Sequence, residues 1–261
     1  MSIPSFSLAG KVALVNGGKR GIGRAIALAF AEAGADVAVC SRVVEDGKLE
    51  TVAGEIERFG RRSLAVQADI SQKADVDNMV RRVMEHFGAI DILVNSAAMI
   101  TMVPLLEMTE DAWDKVINTD LKGYHLCSQA VGKMMVEQKK GNIINMASYA
   151  AMVARRNVGA YCIAKAGVIM LTKALALELA TYNIRVNAIA PFMLRTEIYD
   201  FPAWSDTEFR KQREALVPLG EKVLAEPSDA VGAALFLASD DAARYITGHT
   251  ILLDGGASAF R

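Results

Sequence analysis

Three side chains in one short stretch of the sequence carry the groups that acid–base chemistry at an oxygen atom requires. Ser148 supplies a hydroxyl, Tyr161 a phenol and Lys165 an ammonium. Tyr161 and Lys165 are four residues apart, so a helix places both side chains on one face and lets their head groups meet. Ser148 has no helical spacing to the other two, so a separate element must deliver it to the same place.

An unassisted phenol is a poor base at neutral pH because its pKa is near 10. A lysine ammonium about 4 Å away, at an effective dielectric constant of about 20, favours the phenolate by roughly 4 kcal/mol, which lowers the pKa by about three. Tyr161 would then protonate a carbonyl oxygen as hydride arrives, or deprotonate an alcohol as hydride leaves. Ser148 would hydrogen-bond the same oxygen. The Tyr-x-x-x-Lys spacing alone is weak support, since helices produce it by chance.

The N-terminal part of the chain reads as a strand, a glycine-rich loop and a helix, which is the setting of a nucleotide site. An apolar run, 11–15, is followed by the spacing G-x-x-x-G-x-G and then by an alanine-rich helix, 25–33. Gly17 permits the tight turn, Gly21 lets backbone approach a pyrophosphate, and Gly23 allows the helix to pack closely on the strand. The other loop residues predicted to contact the nucleotide are Lys19, Arg20 and Ile22.

The residue that ends the second strand selects the dinucleotide. An acid there binds the ribose hydroxyls of NAD, whereas an arginine accommodates the 2′-phosphate of NADP. Here the strand ends in Ser41 and Arg42, and Arg20 lies in the glycine loop, which favours NADP(H) over NAD(H). Two alternatives stay open: both arginines are solvated surface residues, or a one-residue shift of the loop brings Glu45 or Asp46 to the site.

Strand and helix patterns alternate along the chain, which predicts an α/β fold with a doubly wound, seven-stranded parallel sheet and helices on both faces. The predicted strands are 11–15, 37–40, 63–67, 90–94, 142–146, 185–189 and 248–256, and the predicted helices are 25–33, 45–59, 72–87, 109–136 and 161–179. Ligands in such sheets bind beyond the carboxyl ends of the strands. Gly17, Ser41, Asp69, Asn95 and Ser148 all lie at such ends, so we expect them to converge on one cleft.

A segment near the C-terminus, 197–216, combines charge with aromatic side chains and is predicted to cover the substrate as a lid. Its aromatic residues are Tyr199, Phe201, Trp204 and Phe209.

The composition and net charge favour a protein that binds small molecules. The 261 residues are 52% hydrophobic and carry a net charge of −1, so no basic field attracts nucleic acid or anionic lipid. Three widely separated cysteines form no C-x-x-C pair, which indicates a reducing compartment and no disulfide or zinc site. No secretory leader is visible, and no stretch is expected to reach the length of a membrane span. The sequence therefore predicts a soluble, cytoplasmic protein that binds no metal.

From about Leu8 to Gly256 the assembled motifs resemble those of the short-chain dehydrogenase/reductase family. The glycine loop resembles that family's Thr-Gly-x-x-x-Gly-x-Gly motif, and Ser148, Tyr161 and Lys165 match its catalytic triad at the expected spacing. The resemblance extends to four further positions: Asp69 as the acid that contacts adenine, Asn95 as the first residue of Asn-Asn-Ala-Gly, and Pro191 and Thr196 as the segment beside the nicotinamide. Ile70 and Ala97, within these motifs, are also predicted to contact the cofactor.

The resemblance implies a single Rossmann-fold domain spanning 1–261, with a dinucleotide-binding half at about 8–100 and a catalytic half at about 101–256. In that family the tyrosine is the general acid or base, the lysine lowers its pKa and holds the nicotinamide ribose, and the serine orients the substrate. Members are commonly homotetramers, or sometimes homodimers. The expected function is an oxidoreductase that transfers a hydride between NADP(H) and a carbonyl or secondary alcohol.

The same resemblance places candidate substrate contacts at Met99, Met152, Met193 and Arg155. The methionines would make an apolar, adaptable pocket, although methionines in an ordinary core are the alternative. Arg155 or its neighbour Arg156 would grip a carboxylate or phosphate, with a solvated surface pair as the alternative. A 3-oxoacyl thioester, a sugar or polyol, a cyclic ketone and a small keto acid all remain open as substrates.

Four departures from the family pattern lie near the expected cofactor. Asn16 replaces a threonine, Ser96-Ala97-Ala98 replaces Asn-Ala-Gly, and Phe192 replaces a glycine. Asp120 stands where the family has an asparagine that holds a water on the catalytic lysine, and the resemblance makes it a fourth catalytic candidate. Our hypothesis is that an ionised Asp120 partly neutralises Lys165 and raises the pKa of Tyr161; the alternative is that Asp120 holds the same water and changes little.

Two other functions remain possible at this stage. One is an enzyme of the same scaffold that dehydrates, epimerises or decarboxylates its substrate with a retained nucleotide. The other is a nucleotide-binding sensor or structural protein with weakened catalysis, which the substitutions at Asn16, Ser96 and Asp120 would favour. Against the sensor, Ser148, Tyr161 and Lys165 are intact, and a binding protein has no need of them.

Overall fold

A computed structural model describes residues 3–199, 207–219 and 225–259 of the protein, and its centre is a seven-stranded parallel sheet in the order β3-β2-β1-β4-β5-β6-β7. The strands are β1 Val12–Asn16, β2 Asp36–Ser41, β3 Ser63–Gln67, β4 Ile92–Asn95, β5 Gly141–Met146, β6 Ile184–Pro191 and β7 Thr250–Leu253. The strand order reverses between β1 and β4, and a crevice forms at that point beyond the carboxyl ends of the strands. The predicted fold class is confirmed.

Helices cover both faces of this sheet. They are α1 Gly21–Glu32, α2 Lys48–Glu57, α3 Lys73–Phe87, α4 Glu110–Ile117, α5 Gly123–Gln138, α6 Gly159–Leu179, α7 Thr207–Glu214 and α8 Val231–Ala238. Side chains of α1, α2 and α8 form one apolar core with the sheet, and side chains of α3, α5 and α6 form the other. Neighbouring β1 residues alternate between the cores, since Leu14 belongs to one and Ala13 and Val15 to the other.

The single helix predicted over 109–136 is wrong, because a π-helical turn, Asn118–Lys122, separates α4 from α5. Its central residue, Asp120, has no exposed surface. The i→i+5 turn adds one residue to the helix, a feature that is frequent at functional sites.

Six of the seven predicted strands differ from the observed ones by one to three residues at their ends, and β3 alone has its predicted bounds. β4 begins at Ile92 rather than at position 90, and the Asp91 carboxylate before it accepts a hydrogen bond of 3.0 Å from the backbone N–H of Val12. β7 covers only 250–253 of the predicted 248–256, because Gly248, Gly255 and Gly256 have positive φ angles that end the extended backbone.

The prediction of a lid over 197–216 stays a prediction. A short 3₁₀ turn, Glu197–Tyr199, and helix α7 are described, but Phe201 and Trp204 lie outside the described residues, as do the side chains of Tyr199 and Phe209.

Helix α6, which carries Tyr161 and Lys165, is more apolar than the sequence analysis allowed. Residues Gly159–Tyr182 have the length and mean hydropathy of a membrane span, so the expectation that no stretch would qualify is wrong. In this fold α6 packs on β6 and on the π turn, and Lys165 is only 1% exposed within it. Its apolar composition therefore matches its position against the sheet.

Candidate active site

The glycine loop between β1 and α1 is built by close backbone contacts that no larger residue would allow. Gly17 has φ +69°, and a Cβ on it would lie 2.5 Å from the backbone nitrogen of Ala97. A Cβ on Gly23 would lie 2.4 Å from the carbonyl oxygen of Gly17. Gly23 therefore lets α1 approach the loop itself, rather than β1 as predicted.

This loop fits a dinucleotide pyrophosphate. Helix α1 begins at Gly21, its N-cap residue Arg20 makes no side-chain capping bond, and the backbone N–H groups of a first helical turn have no intrahelical acceptors. Those N–H groups and the positive end of the helix dipole are suited to an anion. Gly21 and Thr196 face each other across this opening, since a Cβ on Gly21 would lie 3.2 Å from the Thr196 methyl.

A row of buried asparagines supports the floor of the cleft. Asn16, Asn95 and Asn145 are directly paired on β1, β4 and β5, and none has any exposed surface. Asn16 donates to Asn95 Oδ1 at 2.6 Å, Asn95 donates to Asn145 Oδ1 at 2.8 Å, and Asn145 donates to the Thr172 hydroxyl of α6 at 2.9 Å. The row therefore connects the strand before the glycine loop to the helix that carries Tyr161 and Lys165.

Asn16 also fixes the loop after β4. Its Oδ1 accepts hydrogen bonds from the backbone N–H groups of Ser96 at 2.8 Å and Ala97 at 2.9 Å. Asn95, which was predicted to contact the cofactor, is fully buried beneath this loop and does not line the cleft. Its role in the structure is to hold Asn16, Asn145 and the Ser128 hydroxyl.

At the end of β2, the side chains that line the cleft are neutral or cationic. Ser41 and Arg42 line it beside Asp69, and the Arg42 guanidinium lies 3.9 Å from the Asp69 carboxylate. Asp46 is held outside the cleft lining by Lys19, at 3.0 Å. The hydrogen bond from Lys19 lowers the pKa of the Asp46 carboxyl below its usual value, and a smaller desolvation effect acts in the opposite direction.

Ser148 is delivered to the cleft by β5, as predicted. It lies two residues beyond that strand, is 5% exposed, and its Oγ accepts the backbone N–H of Ala150 at 3.1 Å. The neighbouring Ala147 donates its N–H to the Ile189 carbonyl of β6 at 2.8 Å, which ties the segment to the sheet.

Tyr161 and Lys165 lie one turn apart on α6, and both line the same cleft as Ser148 and the glycine loop. The Lys165 ammonium lies 5.6 Å from the centre of the Tyr161 ring. It donates to the Met146 carbonyl at 3.0 Å and to the Tyr124 hydroxyl at 3.3 Å. Burial lowers the pKa of Lys165 below its usual value, and the negative charge of Asp120 opposes this.

Asp120 lies behind Lys165 in the π turn. Its Oδ1 accepts the backbone N–H of Met99 at 2.9 Å, and its Oδ2 lies 3.3 Å from the Lys165 ammonium. Among the described residues no donor has hydrogen-bond geometry to Oδ2, so this contact is an ion pair without a well-aligned hydrogen bond. Burial raises the pKa of Asp120 to about 6, although Lys165 acts in the opposite direction.

The cleft brings together most of the predicted site residues. Those that line it are Gly17, Lys19, Arg20, Gly21, Ile22, Gly23, Ser41, Arg42, Asp69, Ile70, Ala97, Met99, Ser148, Tyr161, Lys165, Pro191 and Thr196. Asp120 and Asn95 lie behind this lining, fully buried. No sequence pattern predicted the contact of Lys165 with Tyr124, which is fully buried, or the hydrogen bonds made by Asn16, Asn145 and Thr172.

Three predicted substrate contacts do not line this cleft. Met193 is 5% exposed and packs with Tyr149 and Phe192 in an apolar cluster, so the core alternative applies to it. The Arg155 guanidinium lies 5.9 Å from the centre of the Phe192 ring, and Met152 is 48% exposed. The Phe192 substitution therefore supplies an aromatic surface for Tyr149 and Arg155.

Comparison with known proteins agrees with this geometry. Residues 17–258 match the family described as enoyl-(acyl carrier protein) reductase. The chain is 42% identical over 253 residues to the (2S)-[(R)-hydroxy(phenyl)methyl]succinyl-CoA dehydrogenase subunit BbsD of Thauera aromatica, covering 96% of this chain and 97% of that protein. It is 39% identical over 256 residues to a 3-oxoacyl-[acyl-carrier-protein] reductase of Synechocystis sp., covering 97% and 99%.

Two solved structures have the same fold. A putative short-chain alcohol dehydrogenase from Sinorhizobium meliloti superposes with a TM-score of 0.93 at 40% identity, covering 98% of this chain and 99% of that one. The second is a putative NAD(P)-dependent gluconate 5-dehydrogenase from Beutenbergia cavernae, whose crystals held NADP at low occupancy. It superposes with a TM-score of 0.90 at 37% identity, covering 97% of this chain and 99% of that one.

Proposed function

Because the chain belongs to the short-chain dehydrogenase/reductase family, whose sequence pattern it matches over residues 17–258, we propose that it reduces a carbonyl group with NADPH, Tyr161 acting as the general acid. Named relatives are dehydrogenases and reductases, so an oxidoreductase is favoured over the non-redox and sensor alternatives. The observation that carries the proposal is that Ser148, Tyr161 and Lys165 line the same cleft as the glycine loop.

Each of these side chains has a separate task. Ser148 donates a hydrogen bond to the substrate oxygen and holds it beside the Tyr161 hydroxyl. Tyr161 transfers its proton to that oxygen as hydride adds to the carbonyl carbon, so the carbonyl becomes an alcohol and the phenolate is reprotonated from solvent. Lys165 stabilises the transient phenolate through its positive charge. The bound nicotinamide supplies the hydride.

NADP(H) is the preferred cofactor in this proposal because of the charges at the end of β2. Arg42 is a largely exposed cation at the cleft, and Arg20 is an exposed cation of the glycine loop. Asp46, which would favour NAD(H) if it turned into the cleft, is instead paired with Lys19. The relative from Beutenbergia cavernae held NADP in its crystals.

The substrate class that we propose is a 3-oxoacyl thioester. The names of two relatives specify a CoA thioester or an acyl-carrier-protein thioester. The loop after β4, whose Met99 lines the cleft, also carries the exposed apolar side chains of Met102 and Leu105, which are 51% and 52% exposed. These would contact the acyl chain or the thioester arm.

We also propose that the protein is a cytoplasmic homotetramer or homodimer. One face of α6 exposes Ile163, Met170 and Leu177, spaced by seven residues and 46%, 63% and 81% exposed. An apolar stripe of this kind suits burial against a second copy of the chain. The opposite face of α6 packs on the sheet, so this helix serves the core and the assembly rather than a membrane.

The test is NADPH and NADH consumption, followed by absorbance, with a short 3-oxoacyl-CoA, simple ketones, keto acids and sugars. We expect the thioester to be reduced fastest, and NADPH to be preferred at least about tenfold, as one charge-assisted contact to a phosphate allows. Tyr161→Phe should bind NADPH as the wild type does and lose turnover by a factor of 10² or more, roughly the contribution of general acid catalysis.

Turnover that survives Tyr161→Phe would contradict the assignment of the acid. Arg42→Ala separates the cofactor argument from the catalytic one: it should weaken NADPH binding and leave NADH binding unchanged. An equal loss of affinity for NADPH and NADH would show that Arg42 does not recognise the 2′-phosphate.

A further inference from the structure

Asp120 is a buried carboxylate whose position is fixed by the fold and not by a ligand. The π turn carries it to the back of the cleft, where both Asp120 and Lys165 are at most 1% exposed. The Met99 N–H and the Lys165 ammonium contact its two oxygens separately, at 2.9 and 3.3 Å. Its single charge is therefore directed at the ammonium that the proposed reaction uses.

The groups around Asp120 leave Lys165 as its main charged partner. From α6 it faces Lys165, with the Tyr161 phenol one turn earlier on that helix. From α5 the phenol of Tyr124 is close enough for the charge of Asp120 to raise its pKa, after the larger effect of burial. The loop after β4 contributes the neutral Met99 N–H, and β5 contributes the neutral Met146 carbonyl that holds Lys165.

We propose that Asp120 is a positioning residue that biases the site toward carbonyl reduction by neutralising Lys165. This inference rests on the proposed function, in which Tyr161 is the proton donor. A carbonyl is reduced by the phenol form of Tyr161, whereas an alcohol is oxidised by the phenolate form. An ionised carboxylate on the far side of the ammonium weakens the positive field at Tyr161 and so favours the phenol.

The bias depends on the protonation of Asp120 itself. Burial raises its pKa to about 6, so the carboxylate is ionised above that pH and the phenol form of Tyr161 is favoured there. Below it, Asp120 takes up a proton, and Lys165 acts on Tyr161 with its full charge. While Lys165 stays protonated, removing the charge of Asp120 should therefore raise the rate of oxidation at neutral pH.

The decisive variant is Asp120→Asn, which keeps the size of the side chain and an oxygen that can accept the Met99 N–H. The matched control is Asp91→Asn. Asp91 is also buried, accepts a backbone N–H from Val12 at 3.0 Å and binds the Lys140 ammonium at 2.8 Å, but it lies before β4, at the opposite end of the sheet from the cleft. Asp120→Ser is the second variant if the amide fails to fold.

Two measurements are made on each protein. The first is the pH dependence of kcat for oxidation of the alcohol product and for reduction of the carbonyl. The second needs no turnover: it is the ultraviolet titration of tyrosinate, taken as the difference between each protein and the same protein carrying Tyr161→Phe, so that only Tyr161 contributes.

In Asp120→Asn we expect the acid limb of oxidation and the Tyr161 titration to move to lower pH by about one unit, a typical effect of one nearby charge. Oxidation below that limb then rises about tenfold, and Asp91→Asn changes neither curve. Curves for Asp120→Asn that coincide with the wild type would overturn the proposal. If no turnover depends on Tyr161, the proposed function fails, and the titration still decides whether Asp120 controls the phenol.

Discussion

Replacing Asn16 by alanine tests whether the asparagine row beneath the cleft holds the cofactor loop in place. The substitution removes three hydrogen bonds at once, to the side chain of Asn95 and to the backbone N–H groups of Ser96 and Ala97. It leaves the side-chain oxygen Oδ1 of Asn95 buried without this donor. It also releases the two N–H groups that set the distance between the glycine loop and the loop after β4.

The expected cost follows from the number of bonds. Each hydrogen bond contributes about 1 kcal/mol net, and a buried polar group left without a partner costs about 1 to 3 kcal/mol. Asn16→Ala should therefore lower the free energy of unfolding by about 3 to 5 kcal/mol, a fall in Tm on the order of 10 °C for a chain of this length. Because Ala97 lies against Gly17, the Kd for NADPH should rise about tenfold or more, roughly 1.4 kcal/mol.

The assays are denaturant unfolding and NADPH binding by fluorescence, with Asn142→Ala as the matched control. Asn142 is another buried asparagine, but it lies at the start of β5, away from the cleft, and donates one hydrogen bond to the Leu237 carbonyl at 2.6 Å. Asn142→Ala should lower the free energy of unfolding by about 1 to 2 kcal/mol and leave the Kd for NADPH unchanged. Asn16→Thr introduces the residue of the family motif, and both its stability and its affinity for NADPH should lie between those of the wild type and Asn16→Ala.

The reasoning is refuted if Asn16→Ala unfolds as easily as Asn142→Ala and binds NADPH as tightly as the wild type. A loss of stability with unchanged binding would refute the link between the asparagine row and the glycine loop alone.

Two other predictions concern the loop and the assembly. Gly23→Ala should weaken NADPH binding about tenfold or more, because its Cβ would lie 2.4 Å from the Gly17 carbonyl oxygen. The control Gly54→Ala on α2, whose Cβ would have nothing within 4 Å, should bind NADPH normally and be slightly more stable. Equal affinities of the two variants for NADPH would argue against a tight glycine loop. Leu177→Glu should reduce the molar mass measured by light scattering, because it places a charge in the apolar stripe of α6. Ala74→Glu, on the exposed face of α3, should leave the molar mass unchanged. An unchanged molar mass for Leu177→Glu would exclude the apolar stripe of α6 as the interface.

The sheet and most of the cleft lining could be predicted from the sequence because both depend on local patterns. Alternating strands and helices determine a parallel sheet, and its carboxyl edge then collects the residues that end the strands. Ser148, Tyr161 and Lys165 converge for this reason. The asparagine row also has a signal in the sequence, because Asn16 and Asn95 end apolar strands and Asn145 follows two isoleucines in β5.

Other features depend on tertiary contacts that no local pattern contains. Tyr124 looks like any aromatic residue of an amphipathic helix, and only the fold places its hydroxyl 3.3 Å from Lys165. The family resemblance placed Met193 among the substrate contacts, but in the structure its side chain packs in the cluster around Phe192. The π turn was missed because the low helix propensity of Asn118, Thr119 and Asp120 does not specify an i→i+5 turn. The contacts of Asp120 with Met99 and Lys165 join residues that are far apart in the sequence.

That turn also sets the rotational phase between the two halves of what would otherwise be one helix. One α-helical residue corresponds to roughly 100° of rotation about the axis, so the extra residue in Asn118–Lys122 changes which side of α5 faces the sheet. In the observed phase, Gly123 meets Ile70 where a Cβ would come within 2.8 Å, and Tyr124 points to Lys165. Deleting one residue from the turn would make the helix regular. It would also rotate Gly123 away from Ile70 and Tyr124 away from Lys165, so a regular helix would remove both contacts from the site.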